Sequence, residues 1–240
     1  KDGAFFYNMK PKVLINYTIL CLIWGTTWIV LKKSLIEGTP PFFGAGFRFF
    51  FAGLILWAII LYKKERPSFA ILPLKLYVQF GFLNLTVCYG LTYWATQFIY
   101  SSLSSIIWAG FPICVTILSY FMLPNEVLTK KKLFSLFLGT LGAFFILKEG
   151  MKFEGDSVVF GITIVMIAVV IASYPSVYLK KYSDVLTSLH LNAVSQLMAG
   201  IILLSISYFV ESDQAMIWSQ FNIFALLYLT IPGSFIAWFI

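Results

Sequence analysis

Tyr89, Tyr93 and Gln97 stand four residues apart in one apolar stretch, with Thr86 close to the same line. On a helix that spacing gathers them on one face, and the chemistry they offer is hydrogen bonding. Similar groups recur inside other apolar runs: Trp24, Thr26, Thr27 and Trp28 around Gly25, then Asn84 and Thr92, then Ser104, Ser105, Trp108 and Thr116 around Pro112. Later come Ser173, Tyr174 and Ser176 beside Pro175, Asn192, Ser195 and Gln196, and finally Ser234 and Trp238 near Pro232. An amide or hydroxyl surrounded by hydrocarbon needs a partner, so these groups face the interior of a helical bundle. Packing contacts between helices satisfy that need, and so does a bound solute. A cavity of rings and hydroxyls suits an amphipathic organic molecule, and it lacks the carboxylate and carbonyl cage of an ion site.

Three cations add to this set. Arg48 falls about seven residues into its run, roughly 10 Å of helix at 1.5 Å per residue. From there its stem either snorkels to the membrane surface or turns its charge into a cavity. Lys32 and Lys33 close an earlier run and point about 100° apart, so one of them can face inward. Glu126 follows another run, and Lys130 four residues on offers it a partner.

Signatures of catalysis are missing. His190 is the single histidine and has no His, Cys or carboxylate beside it; Cys21, Cys88 and Cys114 lie in apolar runs without metal or disulfide spacing. Asp184 and Asp213 fall in loops, which excludes an intramembrane aspartate pair, and there is no glycine-rich phosphate loop. Neither a metal nor an organic cofactor is expected.

The elements that must position these residues follow from composition. Hydrophobic residues make up 60% of the chain and charged ones 11%, against about 25% charged in soluble domains. The expected fold is therefore an all-α integral membrane protein, a polytopic helical bundle embedded in the lipid bilayer. About 20 apolar residues cross a bilayer, and on that template eight spans are expected: 13–35, 41–62, 74–97, 101–123, 131–148, 158–179, 187–210 and 221–240. The run after the basic start is too long for a signal peptide and lacks a cleavage site. Pro112 removes a backbone donor and crowds the carbonyl of Trp108, so the fourth span should kink or loosen there. The net charge of +7 is gathered at span ends, without the basic, aromatic-studded face of a nucleic-acid binder. Lys1, Lys10, Lys12, Lys63, Lys64, Arg66, Lys75, Lys130 to Lys132, Lys180 and Lys181 fall on one side; Lys32, Lys33, Lys148 and Lys152 fall on the other. By the positive-inside rule the amino terminus is cytoplasmic.

These residues carry a resemblance. Trp24-Gly25-Thr26-Thr27 with Lys32, the Pro41-Phe42-Phe43 entry and Arg48-Phe49-Phe50, and the stretch from Ala95 to Glu126 resemble the EamA family of the drug/metabolite transporter superfamily. That stretch holds the Ser101 to Ser105 turn, Pro112 and the Asn125-Glu126 exit, and a helix with Gly139, Gly142 and Ala143 follows it. Asn125 stands where the family has glycine, and Ser173-Tyr174 where it often has Trp-Ala.

The resemblance implies ten helices in two inverted five-helix repeats, with solute bound near the midplane between them. Residues 13–148 would be the first repeat and residues 158–240 the second, with a ninth and tenth helix missing. It also implies a secondary transporter of the bacterial inner membrane, exporting amino acids or related metabolites by alternating access. The expected cavity lining is Trp24, Thr27, Asn84, Tyr89, Tyr93, Trp108, Tyr174 and Trp238, with Lys32 and Arg48 as contacts to an anionic group. A non-transporting scaffold or sensor subunit and a membrane-embedded transferase are the rival readings. The oligomeric state is left open.

Overall fold

A computed structural model describes residues 11–124, 126–150 and 156–239, apart from the side chains of residues 143, 144 and 146–150. The expectations placed on Lys1, Lys10, Asn125, Lys152 and Ile240, and on the side chains of Ala143 and Lys148, lie outside the described residues. The described residues form helices joined by short connections: α1 Pro11–Ile36, α2 Pro41–Tyr62, α3 Ile71–Ala95, α4 Ser101–Met122, α5 Lys130–Gly150, α6 Asp156–Lys181, α7 Ser188–Val210 and α8 Gln220–Phe239. α1 to α4 and α6 to α8 are each long and apolar enough to cross a membrane. Each observed helix falls within a few residues of its predicted span.

Local chemistry sets the ends and the breaks. Pro41 opens α2, where its missing N–H and fixed φ cost nothing. Gly38, in the turn before it, adopts φ 91°, which a side chain disfavours. In α4 the ladder fails two residues before Pro112, at Gly110, whose N–H bonds Ile107 in a tightened turn. Pro175, by contrast, sits within an unbroken α6.

Two widened, π-helical stretches interrupt the remaining spans, Phe80–Cys88 in α3 and Ile231–Ile236 in α8. In each a hydroxyl reaches five residues back: Thr86 Oγ1 donates to the Gly81 carbonyl at 2.9 Å, and Ser234 Oγ to the Leu229 carbonyl at 3.0 Å. Such widened turns recur at functional sites.

The bundle is built on α2 and α7, which cross antiparallel with their backbones touching. β-carbons added at Gly46, Gly53 and Gly200 would lie 2.8, 2.6 and 2.3 Å from the backbone nitrogens of Leu204, Leu197 and Phe50. Small residues permit this approach where no hydrophobic effect drives helices together. The displacement along the sequence that carries Gly53 onto Gly200 also carries Phe50 onto Leu197, so the two contacts are equivalent. The same displacement brings the starts of α1, α2 and α3 to within two residues of the starts of α6, α7 and α8.

The ends of the α2–α7 pair are tied. Glu211, just past α7, accepts from the Phe42 and Phe43 amides at the first turn of α2, at 2.8 and 2.9 Å. At the other end Glu65 Oε2 stands 2.9 Å from His190 Nε2. Glu126 does not take Lys130 as partner; its carboxylate bonds Lys132 of α5, at 2.9 Å, and Lys180 of α6. Along α5, a β-carbon at Gly139 or Gly142 would meet nothing within 4 Å among the described residues.

Candidate functional site

A cavity of about 410 Å³ lies inside the bundle, walled by α1, α2, α3, α4, α6 and α8. Eight of the ten predicted residues line it: Trp24, Thr27, Arg48, Asn84, Tyr89, Tyr93, Trp108 and Trp238. Its size matches that of sites for small organic molecules.

Each wall has its own cause. Tyr89 and Tyr93 share a face of α3 below the widened stretch, which itself presents Asn84. The break at Gly110 leaves Trp108, Ala109, Phe111 and Pro112 on the lining. The Trp108 ring lies 6.3 Å from Trp28, 6.0 Å from Tyr89 and 5.8 Å from Phe111, so four rings from three helices adjoin. Trp238 packs edge-on to Phe80 at 5.6 Å, and its carbonyl accepts from Asn192 of α7 at 3.1 Å. Trp24, half exposed, stands at the rim.

Arg48 does not snorkel. It is 2% exposed, and its guanidinium reaches across the bundle. Nε donates to Ser234 Oγ at 2.7 Å, Nη1 to the Tyr93 hydroxyl at 2.9 Å and Nη2 to the Gly233 carbonyl at 2.9 Å. The rings of Phe49, Tyr89 and Tyr93 lie 5.1, 5.5 and 5.9 Å from its central carbon. Gly233 and Ser234 belong to the widened stretch of α8, so one side chain of α2 joins α3 to α8.

Two predicted residues are corrected. Lys32 points away from the cavity: its ammonium donates to the Thr96 and Gln97 carbonyls, at 2.8 and 2.9 Å, and so caps the end of α3. Tyr174 faces outward, stacks on Tyr178 at 6.0 Å and touches Gln79, because its rotation on α6 puts Ser173 and Pro175 inside instead. Of the handles expected around Pro112, only Trp108 lines this cavity. Ser104 pairs with Thr96, while Ser105 and Thr116 donate to their own helix at Ser102 and Pro112.

The cavity also takes residues that were not predicted for it: Trp28, Leu31, Thr92 and Ser176. Trp28 and Leu31 lie four residues beyond Trp24 and Thr27, a spacing that marks them as neighbours on α1. Nothing in the local sequence marks Ser234 or Gly233 as partners of Arg48.

A bundle of membrane-length helices around a ring-lined cavity defines a multi-pass membrane transporter, and the chain's relatives agree. Residues 12–148 match the EamA-like transporter family, to which this chain belongs. Among similar proteins, the uncharacterized transporter YoaV of Bacillus subtilis (strain 168) is 28% identical over 95% of this chain and 78% of its own length. PagO of Salmonella typhimurium is 31% identical, over 92% of this chain and 72% of its own. An S-adenosylmethionine/S-adenosylhomocysteine transporter of Chlamydia muridarum is 28% identical, over 85% and 65% respectively. One solved crystal structure shares the fold with a TM-score of 0.69, covering 92% of this chain and 76% of that one at 18% identity.

Proposed function

We propose that the protein is a secondary carrier of the bacterial inner membrane that moves small organic metabolites, amino acids or related solutes, outward by alternating access. The observation that carries this reading is the cavity itself: about 410 Å³, ring-lined, and walled by helices from both halves of the chain. The halves are two inverted repeats, residues 13–148 and residues 158–240. The equivalent, antiparallel contacts of Gly53 and Gly200 support that division, as do the widened stretches at matching places in α3 and α8. The lysine-rich end faces the cytoplasm.

In this reading α2 and α7 form the fixed crossing, and the halves rock about it. The break at Gly110 lets the two parts of α4 move separately against α6. Arg48 reads out both halves at once through Tyr93 and Ser234. No carboxylate lines the cavity among the described residues, so solute movement by facilitated diffusion or exchange fits better than proton exchange through the wall.

The similarity to chlamydial transporters named for S-adenosylmethionine and S-adenosylhomocysteine supports a metabolite of amino-acid kind. Untargeted metabolomics of cells and medium, with and without the gene, tests the reading. Solutes that shift from cells to medium with the gene support export. Chemically altered solutes would favour a transferase, and unchanged pools a scaffold or sensor.

A further inference from the structure

The guanidinium of Arg48 has five N–H groups, and its three protein hydrogen bonds go to neutral oxygens. Among the described residues no carboxylate forms an ion pair with it. A buried cation in this position is costly without a counter-charge. Here it is held by neutral acceptors and ring faces, which leave its charge uncompensated and its remaining N–H groups for a ligand.

The rest of the lining carries no charge among the described residues. The indole Nε1 of Trp108 and that of Trp238 are buried without a protein partner. The hydroxyls of Thr27 and Ser176 are already turned to their own helix, at Ile23 and Ala172. Among the described residues the lining is therefore single-signed in charge, and aromatic on the side of Trp28, Tyr89 and Trp108. A ligand that matches it is anionic at one end and flat at the other.

Given the carrier reading above, on which this rests, we infer that the transported solute is a ring-bearing organic acid. Its carboxylate is the counter-charge of Arg48, and its flat body lies against Trp28, Tyr89 and Trp108. An ammonium group on the solute is dispensable, since no carboxylate waits for it among the described residues. The solute's charge is thus met by a group bonded to both α3 and α8, which ties occupancy to the arrangement of the two halves.

Three probes with one phenyl ring separate the parts: phenylpyruvate, phenylalanine and phenethylamine. Binding is read from quenching of tryptophan fluorescence in the purified protein, and transport from uptake into proteoliposomes. Phenylpyruvate and phenylalanine should bind comparably and phenethylamine on the order of a hundredfold more weakly. Arg48→Gln should abolish that preference and Arg48→Lys should keep it in weakened form, with gel filtration and a melting curve showing that both fold. Equal binding of the amine, an unchanged preference in Arg48→Gln, or binding of none of the three overturns the inference. Transport without any carboxylate preference overturns it too, but leaves the carrier reading standing. Carboxylate-selective binding with no uptake of any probe overturns the carrier reading, and with it the claim that the solute is transported, while Arg48 stands as a carboxylate-binding group.

Discussion

Gly200 of α7 rests directly on the backbone of Phe50 in α2, so closely that a β-carbon there would lie 2.3 Å from the Phe50 nitrogen. The crossing of these helices is set by that contact and its equivalent at Gly53, where Leu197 is the neighbour. Backbone, unlike a flexible side chain, cannot give way. Gly200→Val should therefore cost about 3 kcal/mol or more, seen as a lowered melting temperature in detergent. Gly139→Ala, where nothing lies within 4 Å, should not lower it, and the better helix propensity of alanine should raise it slightly.

Glu211 is 6% exposed and accepts two amides at the start of α2. Negative charge at a helix amino terminus meets both the free N–H groups and the helix dipole. Glu211→Ala leaves both donors without their acceptor and should cost about 2–3 kcal/mol; Glu211→Gln, which keeps one acceptor, about 1 kcal/mol. Chemical denaturation in mixed micelles measures the difference.

Hydrogen bonds from Lys180, and then from Lys132, hold the Glu126 carboxyl down to about 2. In the unfolded chain it titrates near the ordinary carboxylate value of about 4.3. Its folded value is the lower one, so the contact stabilises the fold fully above about pH 4.3 and loses that effect as pH falls toward 2. The melting difference between wild type and Glu126→Gln should be flat from pH 7 to 5, then shrink on further acidification. Added salt should shrink it as well, because both lysines are exposed.

Cavity and surface rings should part company in transport. Trp108→Ala removes a ring that adjoins three others, and Tyr93→Phe removes the acceptor of Arg48 Nη1. Both variants should insert in the membrane and impair uptake, the first by at least about tenfold if it loses about 1.4 kcal/mol of solute binding. Tyr174→Phe should transport normally, since that hydroxyl faces away from the cavity. Uptake in proteoliposomes, normalised to inserted protein, checks all three; normal uptake by both cavity variants would refute the lining.

Much of this molecule is legible along the chain. Crossing a bilayer demands a length and a hydropathy that neighbours in sequence supply on their own, so the helices and their order follow from local composition. So does the break in α4, because Pro112 acts on its own helix. The face shared by Tyr89 and Tyr93 is local too, being a matter of helical period.

Only tertiary structure decided which of the polar groups meet. Tyr174 and Ser176 sit two residues apart on α6, and the rotation of that helix against α3 and α4 turns one outward and the other into the cavity. Lys32 carries the charge that would suit an anionic solute, but the end of α3 lies within its reach, and free carbonyls there take the ammonium. Arg48 has the same long stem and could have snorkelled; what keeps it inside is Ser234 and Gly233, far along the chain in the widened turn at Pro232, and nothing local pairs that turn with Arg48. Helix rotation, register and distant partners are properties of the packed bundle, and no run of neighbouring residues encodes them.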